Sequence, residues 1–327
     1  MDRLGFLKKS VSLAMDAANS VMGLKKATDE ISEAVEDVFR GVKADIGLYL
    51  QSVDAAMYDS PSGTLYEISQ MGYTTLEVGS YYDGKVYYAG AEKFKEMVRR
   101  DSLRVSALRI NKPYQKPQPA EEAQPVEGEA PAEEHQPAEG EAPADEWLSA
   151  EHKEWLRKAV STAKRLGCSY LTMANFPDEP IATQIEDYAK YYNLIGAMCQ
   201  EKGLKLCLHP SKESLESFAE GSIFEQVMLK CDEDVVFVCA DTLELHRAEV
   251  PYREFFERYK GRVPMLHIHD YGIVGESEKI DFDVVIASGE SCGVEKIYIE
   301  VTNCTLPAMN CLERSIYKIE SLASVKF

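Results

Sequence analysis

The eight cysteines, Cys168, Cys199, Cys207, Cys231, Cys239, Cys292, Cys304 and Cys311, include no C-x-x-C pair. That spacing excludes a zinc knuckle or a thioredoxin-like redox motif, and their scatter through apolar segments suits small buried hydrophobes in a reducing, cytoplasmic compartment. No uninterrupted apolar stretch reaches the roughly 18 to 20 residues that a spanning helix requires. Positive charge is scarce, with 36 basic residues against 55 acidic ones and a formal net charge of -19. No basic patch is segregated from the rest, which argues against nucleic acid or an anionic membrane as partner. The glycines form neither G-x-G-x-x-G nor a P-loop, so a nucleotide cofactor has no support, and no Ser-His-Asp elbow is evident.

The amino terminus, Met1-Asp-Arg-Leu-Gly-Phe-Leu-Lys-Lys-Ser10 followed by Val11 to Leu24, has the basic start and mildly apolar stretch of a twin-arginine export signal. Arg3 is unpaired, however, Asp16 interrupts the apolar part and no small-residue cleavage site follows. An amphipathic helix from about residue 3 to 40 fits equally well. Residues 1–43 are therefore expected to form a helical extension, with export as the alternative to a cytoplasmic location.

What the chain has in abundance is a repeated grammar of short β-rich runs and helix-period segments. The runs begin near residues 46, 74, 104, 169, 205, 235, 264 and 296, spaced by 28, 30, 65, 36, 30, 29 and 32 residues. The one long interval contains a tract rich in Pro, Glu and Ala, residues 111–146. Removing those 36 residues leaves 29 and an even eightfold pattern. Eight βα units are the number of a (β/α)₈ TIM barrel, here expected over residues 44–327. Helix-like segments fill the intervals: Pro61 to Met71, Ala91 to Ser102, Leu148 to Leu166, Ile181 to Lys202, Ser222 to Lys230, Pro251 to Tyr259, Phe282 to Ser288 and Asn310 to Leu322. Several meet glycine stops at Gly72, Gly167, Gly203 and Gly261. Within the tract a twelve-residue unit occurs twice, Gln124 to His135 and Gln136 to Trp147, and the tract holds ten acids against two lysines. Too apolar-poor to offset its ordering entropy, it is expected to be a disordered acidic insertion after the third strand.

Four of the runs close on a residue able to bind a metal: Lys205-Leu-Cys-Leu-His209, Val235-Val-Phe-Val-Cys-Ala-Asp241, Pro264-Met-Leu-His267 and Lys296-Ile-Tyr-Ile-Glu300. A parallel barrel brings the carboxyl ends of its strands to one mouth, so residues far apart in sequence can surround one ion. Two imidazoles with two carboxylates suit Mn²⁺, and also Zn²⁺, Co²⁺ or Fe²⁺, better than Mg²⁺ or Ca²⁺. A strand-end His or Asp taken alone is more often a hydrogen-bonded structural group, and spacing by itself leaves the two readings level. His269, two residues beyond His267 and facing the same way, competes for the ligand role. Other strand-end groups are candidates for substrate contact: Glu77 after strand two, Arg109 and Asn111 after strand three, Asn175 after strand four, and Glu244, His246 and Arg247 beyond Asp241. For Glu244 and Arg247 the plainer reading is a solvated ion pair.

Ile46-Gly-Leu-Tyr-Leu-Gln-Ser-Val53, Gly72-Tyr-Thr-Thr-Leu-Glu-Val78, Lys260-Gly-Arg-Val-Pro-Met-Leu-His-Ile-His-Asp270 and Ile280-Asp-Phe-Asp283 leading to Ile299-Glu300 together resemble the xylose-isomerase-like TIM-barrel superfamily, most closely its sugar phosphate isomerase/epimerase branch. The resemblance covers Ala44 to about Leu322, less the insertion. It implies a divalent metal on His209, Asp241, His267 and Glu300, and proton transfer by Glu300. His209 stands where related epimerases carry a proton-moving glutamate. Two further departures are Ser211, where some members have a second histidine, and Asp54, where the family's strand-one motif ends in arginine.

The expected function, implied by the resemblance, is metal-dependent isomerisation or epimerisation of a sugar or sugar derivative through an enediolate, with His209 and Glu300 as the catalytic pair. Glu77, Arg109, Asn175, Glu244, Arg247 and His269 are the expected substrate contacts. The alternatives are a keto-sugar lyase or dehydratase using the same metal, and a non-catalytic barrel acting as a binding or scaffold protein. The expected partner is a small carbohydrate, with a homo-oligomer as a further expectation.

Overall fold

A computed structural model describes residues 46–114, 147–174, 184–217 and 221–322. Eight strands, β1 (Ile46–Tyr49), β2 (Thr75–Val78), β3 (Arg104–Ile110), β4 (Tyr170–Met173), β5 (Lys205–Leu208), β6 (Val236–Asp241), β7 (Met265–His269) and β8 (Lys296–Glu300), start within one residue of the positions read from sequence. They pair in parallel and in chain order, and β8 closes on β1 to complete the barrel. The (β/α)₈ architecture expected from the eightfold spacing is the one observed. The amino-terminal extension and most of the acidic tract lie outside the described residues. Residues 111–114 of the tract are described: Tyr114 is buried against Trp147, Tyr188 and Tyr191, and the Lys112 carbonyl accepts from Tyr191 Oη at 2.8 Å.

Among the described residues the helices that follow the eight strands are α1 (Pro61–Met71), α2 (Ala91–Arg100), α3 (Ala150–Leu166), α4 (Ile185–Glu201), α5 (Ile223–Met228), α6 (Tyr252–Arg258), α7 (Phe282–Cys292) and α8 (Ala308–Glu320). Their burial follows helical period: α2 covers Ala91, Phe94 and Val98, and α3 covers Leu156, Ala159, Val160 and Ala163. The Ser149 hydroxyl caps α3 by accepting from His152 N, and the helix stops at Gly167 with φ of 93°. Sequence places the end of α7 at Ser288, before Gly289, yet the helix runs to Cys292. A Cβ on Gly289 would lie 3.0 Å from Val294 and 3.3 Å from Phe256. That glycine serves close packing against α6 rather than termination, and the left-handed stop is Gly293. Ser291 lies in a Gly289-Glu-Ser-Cys-Gly293 sequence on this outer helix, where its Oγ donates to Ser288 O, so it is no strand-end nucleophile.

Strand alternation fills the barrel. Ala107, Tyr170, Cys207, Cys239, Met265 and Tyr298 form one apolar layer. The Tyr298 ring takes the space beside Gly47, where an added Cβ would meet Tyr298 Cδ1 at 2.5 Å, and its hydroxyl pairs with Ser106 Oγ at 2.6 Å. Overpacking of this kind costs about 1–3 kcal/mol. Chemical denaturation of Gly47→Ala is expected to show a loss of that size, and wild-type stability would mean the ring has room to turn aside.

Besides the short helices Lys212–Leu215 after β5 and Thr242–Arg247 after β6, mouth-side elements near β1 and β2 have no counterpart in the sequence expectations. A short helix, Asp54–Asp59, follows β1, and an antiparallel ribbon of Tyr81–Tyr82, Lys85–Val86 and Ala89–Gly90 follows β2. Asp54, at the position of the family's arginine, joins them through Oδ1, which accepts from Ser80 Oγ at 2.7 Å and Tyr87 Oη at 2.8 Å. Among the described residues no helix is long and apolar enough to cross a membrane.

Candidate metal centre

His209, Asp241, His267 and Glu300 converge at the mouth. One ligand atom from each lies within 4.8 Å of all the others. Each comes from the carboxyl end of a different consecutive strand, β5 to β8, where inward alternation aims it past the apolar layer. The described backbone explains how each is held. His209 N donates to Met173 O at 2.8 Å. Asp241 caps the short helix Thr242–Arg247: its Oδ1 accepts from Leu243 N at 2.8 Å and Glu244 N at 2.9 Å, which turns Oδ2 toward the histidines. His267 is fully buried, and its Nδ1 meets Glu300 Oε2 at 2.7 Å. The Glu300 side chain keeps 12 % of its surface open to the mouth.

The donor set fits a divalent ion. His209 Nε2 is a buried nitrogen with no hydrogen-bond partner; Asp241 Oδ2 is 3.4 Å away, beyond good hydrogen-bond geometry. A buried orphan of this kind requires an explanation, and a nitrogen aimed among two carboxylates and a second imidazole has one in a cation. Burial, and after it the Arg109 charge, lowers the His209 pKa from its ordinary value, which keeps the ring neutral with a lone pair to offer. Burial opposes the charge on Asp241 and Glu300, but His269 reverses this at Asp241, as His267 and Arg109 do at Glu300. Both carboxyls are held below their usual range.

The expected substrate contacts fall into distinct settings. Glu77 and Arg109 sit deeper than the mouth, behind His267. Glu77 Oε2 accepts from His267 Nε2 at 2.6 Å, and Oε1 accepts from Arg109 Nε at 3.0 Å and Thr172 Oγ1 at 2.5 Å. The Arg109 guanidinium lies between the Tyr49 ring, 4.0 Å from its centroid, and His267, whose two ring nitrogens are 3.2 and 3.4 Å from Nη2. With both oxygens engaged and no exposed surface, Glu77 faces the imidazole rather than a substrate cavity. His269 stands at the rim, with Nδ1 3.0 Å from Asp241 Oδ2 and Nε2 2.7 Å from Thr302 Oγ1; it supports Asp241 and is not one of the four converging ligands. Glu244 ties two loops together by accepting from Lys212 N at 2.6 Å, and its largely buried side chain lies 3.6 Å from the half-exposed Arg247. His246 packs edge-on against Tyr271, and Asn111 is exposed at the end of β3. Asn175 lies outside the described residues. Ser211, in place of the family's second histidine, caps the short helix Lys212–Leu215.

Sequence reasoning passed over Tyr49, Thr172 and Thr302. Inward alternation could have found the first two, because Tyr49 is two residues beyond Gly47 and Thr172 two beyond Tyr170. Thr302 lies past the end of β8 and carries no periodic signal.

Solved structures share this fold. A sugar phosphate isomerase/epimerase from Parabacteroides distasonis is 18% identical, with a TM-score of 0.70 over 87% of this chain and 96% of that one. An L-ribulose 3-epimerase is 17% identical, with a TM-score of 0.62 over 85% and 93%. A D-allulose 3-epimerase from Methylomonas sp. is 14% identical, with a TM-score of 0.62 over 85% and 97%. Comparison with curated proteins finds no match. A family model described as xylose isomerase-like TIM barrel matches residues 65–298, and with the closed eightfold barrel and its strand-end cluster this shows that the chain belongs to the xylose isomerase-like TIM-barrel family.

Proposed function

We propose that the chain is a divalent-metal-dependent isomerase or epimerase of a sugar or sugar derivative. The observation that carries this reading is the convergence of four ligand atoms from four consecutive strands around an unpartnered imidazole nitrogen. Similarity to an L-ribulose 3-epimerase and a D-allulose 3-epimerase favours a ketose as substrate. His209 Nε2, Asp241 Oδ2, His267 Nδ1 and Glu300 would hold the ion, Mn²⁺ first among the candidates. When bound, the ion supplies Lewis-acid stabilisation of the negative charge on a substrate enediolate.

The chain's own groups supply the rest. Glu300 has a second oxygen and partial access to the mouth, so it is the group placed to take a proton from one carbon and return it to the neighbouring carbon on the same face, as isomerisation requires; epimerisation would need a second proton donor on the opposite face. A neutral His209 suits either holding the ion or moving a proton, and one nitrogen cannot do both at once. The reading gives Nε2 to the ion and proton transfer to Glu300. Tyr49, with 5 % of its surface exposed, and the buried Arg109 line the inner wall and help exclude water. Incubating the metal-loaded protein with ketopentoses and ketohexoses in D₂O tests the reading. Deuterium in a product of otherwise unchanged mass supports it, loss of water or of a leaving group indicates lyase chemistry, and no exchange on any ketose contradicts it.

The buried histidines also set a proton balance for metal binding. Burial disfavours charge on His267, but its neighbours, the Glu77 carboxylate among them, more than offset it, so its pKa stands well above the ordinary value. Below that raised pKa the ring carries a proton that an ion must displace, so affinity rises with pH. His209, with its lowered pKa, and the two carboxylates release none at neutral pH. Calorimetry of Mn²⁺ binding at pH 7 in buffers of different ionisation heat is expected to give about one proton released per ion. Release of none would place His267 outside the coordination sphere.

A further inference from the structure

Behind the four converging residues lies a second buried group made only of side chains from β2, β3 and β4. Glu77, Arg109 and Thr172 come from three different strands, yet Arg109 and Thr172 both engage the Glu77 carboxylate, which in turn engages one ring nitrogen of His267. A fully buried carboxylate in a barrel interior needs a reason beyond packing, since an apolar residue would fill the same space without desolvating a charge. Here the carboxylate points not into the cavity but at the far side of His267, at 2.6 Å, while the near nitrogen faces Glu300. An imidazole has two nitrogens that compete for one proton when neutral. The partner of one decides which lone pair the other presents.

We propose that Glu77 is a positioning residue for His267: clamped by Arg109 and Thr172, it accepts the Nε2 proton and so fixes Nδ1 as the atom offered to His209, Asp241 and Glu300. The inference rests on the metal-site reading for its consequence but not for its geometry. Arg109 has two parts in it. Its Nε holds Glu77 Oε1, and its plane, stacked between Tyr49 and His267, keeps the imidazole from rotating. Thr172 donates to the same oxygen, so a turn of the Glu77 side chain would break two hydrogen bonds at once. The arrangement also explains why Glu77 and Arg109 occur together. Either one alone would be an uncompensated buried charge.

The test uses the full chain with Mn²⁺ or Zn²⁺ alone as the probe. Nuclear magnetic resonance of ¹⁵N-histidine protein without metal is expected to show a strongly downfield, exchange-protected Nε2 proton on His267, and the Zn²⁺-loaded protein an Nε2–H ring with Nδ1 metallated. In Glu77→Gln the downfield proton should vanish and metal affinity by calorimetry should fall by about 10–100-fold. Because Glu77→Gln leaves Arg109 unpaired and can lose the fold, the double variant Glu77→Gln with Arg109→Gln, which removes both charges, is measured beside it. The same loss of the proton signal and of affinity in the folded double variant supports the proposal. Wild-type affinity and an unchanged His267 spectrum in either folded variant overturn it. If the wild-type protein binds no ion, the metal-site reading fails, and the ion-free Nε2 signal decides this inference separately: its presence in wild type and loss in the variants sustain the positioning role, and its absence from wild type ends it.

Discussion

Glu300→Gln protein is expected to fold and to lose about 10²- to 10⁴-fold in turnover at saturating metal, the range for removing a general base from a reaction that begins with proton abstraction from carbon. Gln keeps the shape of the side chain and its hydrogen-bonding contact with His267, so the cost to stability should stay within the usual range for a point substitution, about 0.5–3 kcal/mol. It cannot take up a proton. The measurement is turnover of whichever ketose the wild type converts, taken beside a thermal melt and a metal titration. A folded, metal-loaded variant that turns over at the wild-type rate would remove Glu300 from the chemistry. A variant that loses metal and activity together would make Glu300 a ligand first, and restoring the metal at high concentration then separates the two roles. His209→Gln sharpens the division of labour: loss of the ion identifies a ligand, whereas loss of turnover with the ion retained identifies the proton-moving group that stands in for the family's glutamate.

Chelation should have the second large effect. An ion that binds only the folded barrel adds about 2.7 kcal/mol of stability at a hundred times its Kd. For a domain of this size that corresponds to a Tm about 4–5 °C higher with Mn²⁺ than after dialysis against EDTA. Asp241→Asn should abolish the difference while leaving the metal-free Tm near that of wild type. The amide oxygen can still cap the helix Thr242–Arg247 through Leu243 N and Glu244 N, but the other atom now presents hydrogens to His209 and His269. An equal Mn²⁺ shift in both proteins would place the ion somewhere other than this mouth.

How much of this was legible beforehand follows from which interactions are periodic. Strand starts could be read to within one residue because each strand is a short apolar run preceded by a glycine or turn, and burial on both faces makes such runs continuous. The four ligand candidates could be read because each ends such a run, and barrel geometry converts chain position into a place at the rim. Long contacts between side chains could not. Glu77 lies 190 residues from the imidazole that it holds, and nothing in Thr75-Leu-Glu-Val78 says which way a carboxylate inside a barrel will face. Its expected place beside the substrate followed from its strand-end position alone, and the direction came from Arg109 and Thr172. The ribbon after β2 was half legible. Its first turn is Asp83-Gly84 at φ of 47° and 81°, a dipeptide that hairpin rules favour, whereas its second carries Tyr87 and Tyr88 at φ of 45° and 62° and is held by tertiary contacts instead: the Tyr87 hydroxyl on Asp54 and the Tyr87 ring stacked on Phe94. The end of α7 was read short, at Ser288, because the packing of Gly289 against α6 is not visible from the helix alone.

The most direct measurement is anomalous diffraction from crystals grown with Mn²⁺, recorded near the manganese edge. The expected result is one strong peak bounded by His209 Nε2, Asp241 Oδ2, His267 Nδ1 and a Glu300 oxygen, each at about 2.0–2.3 Å. A map with no peak among these four side chains, at full Mn²⁺ and neutral pH, would contradict the metal centre and with it the proposed isomerase or epimerase chemistry.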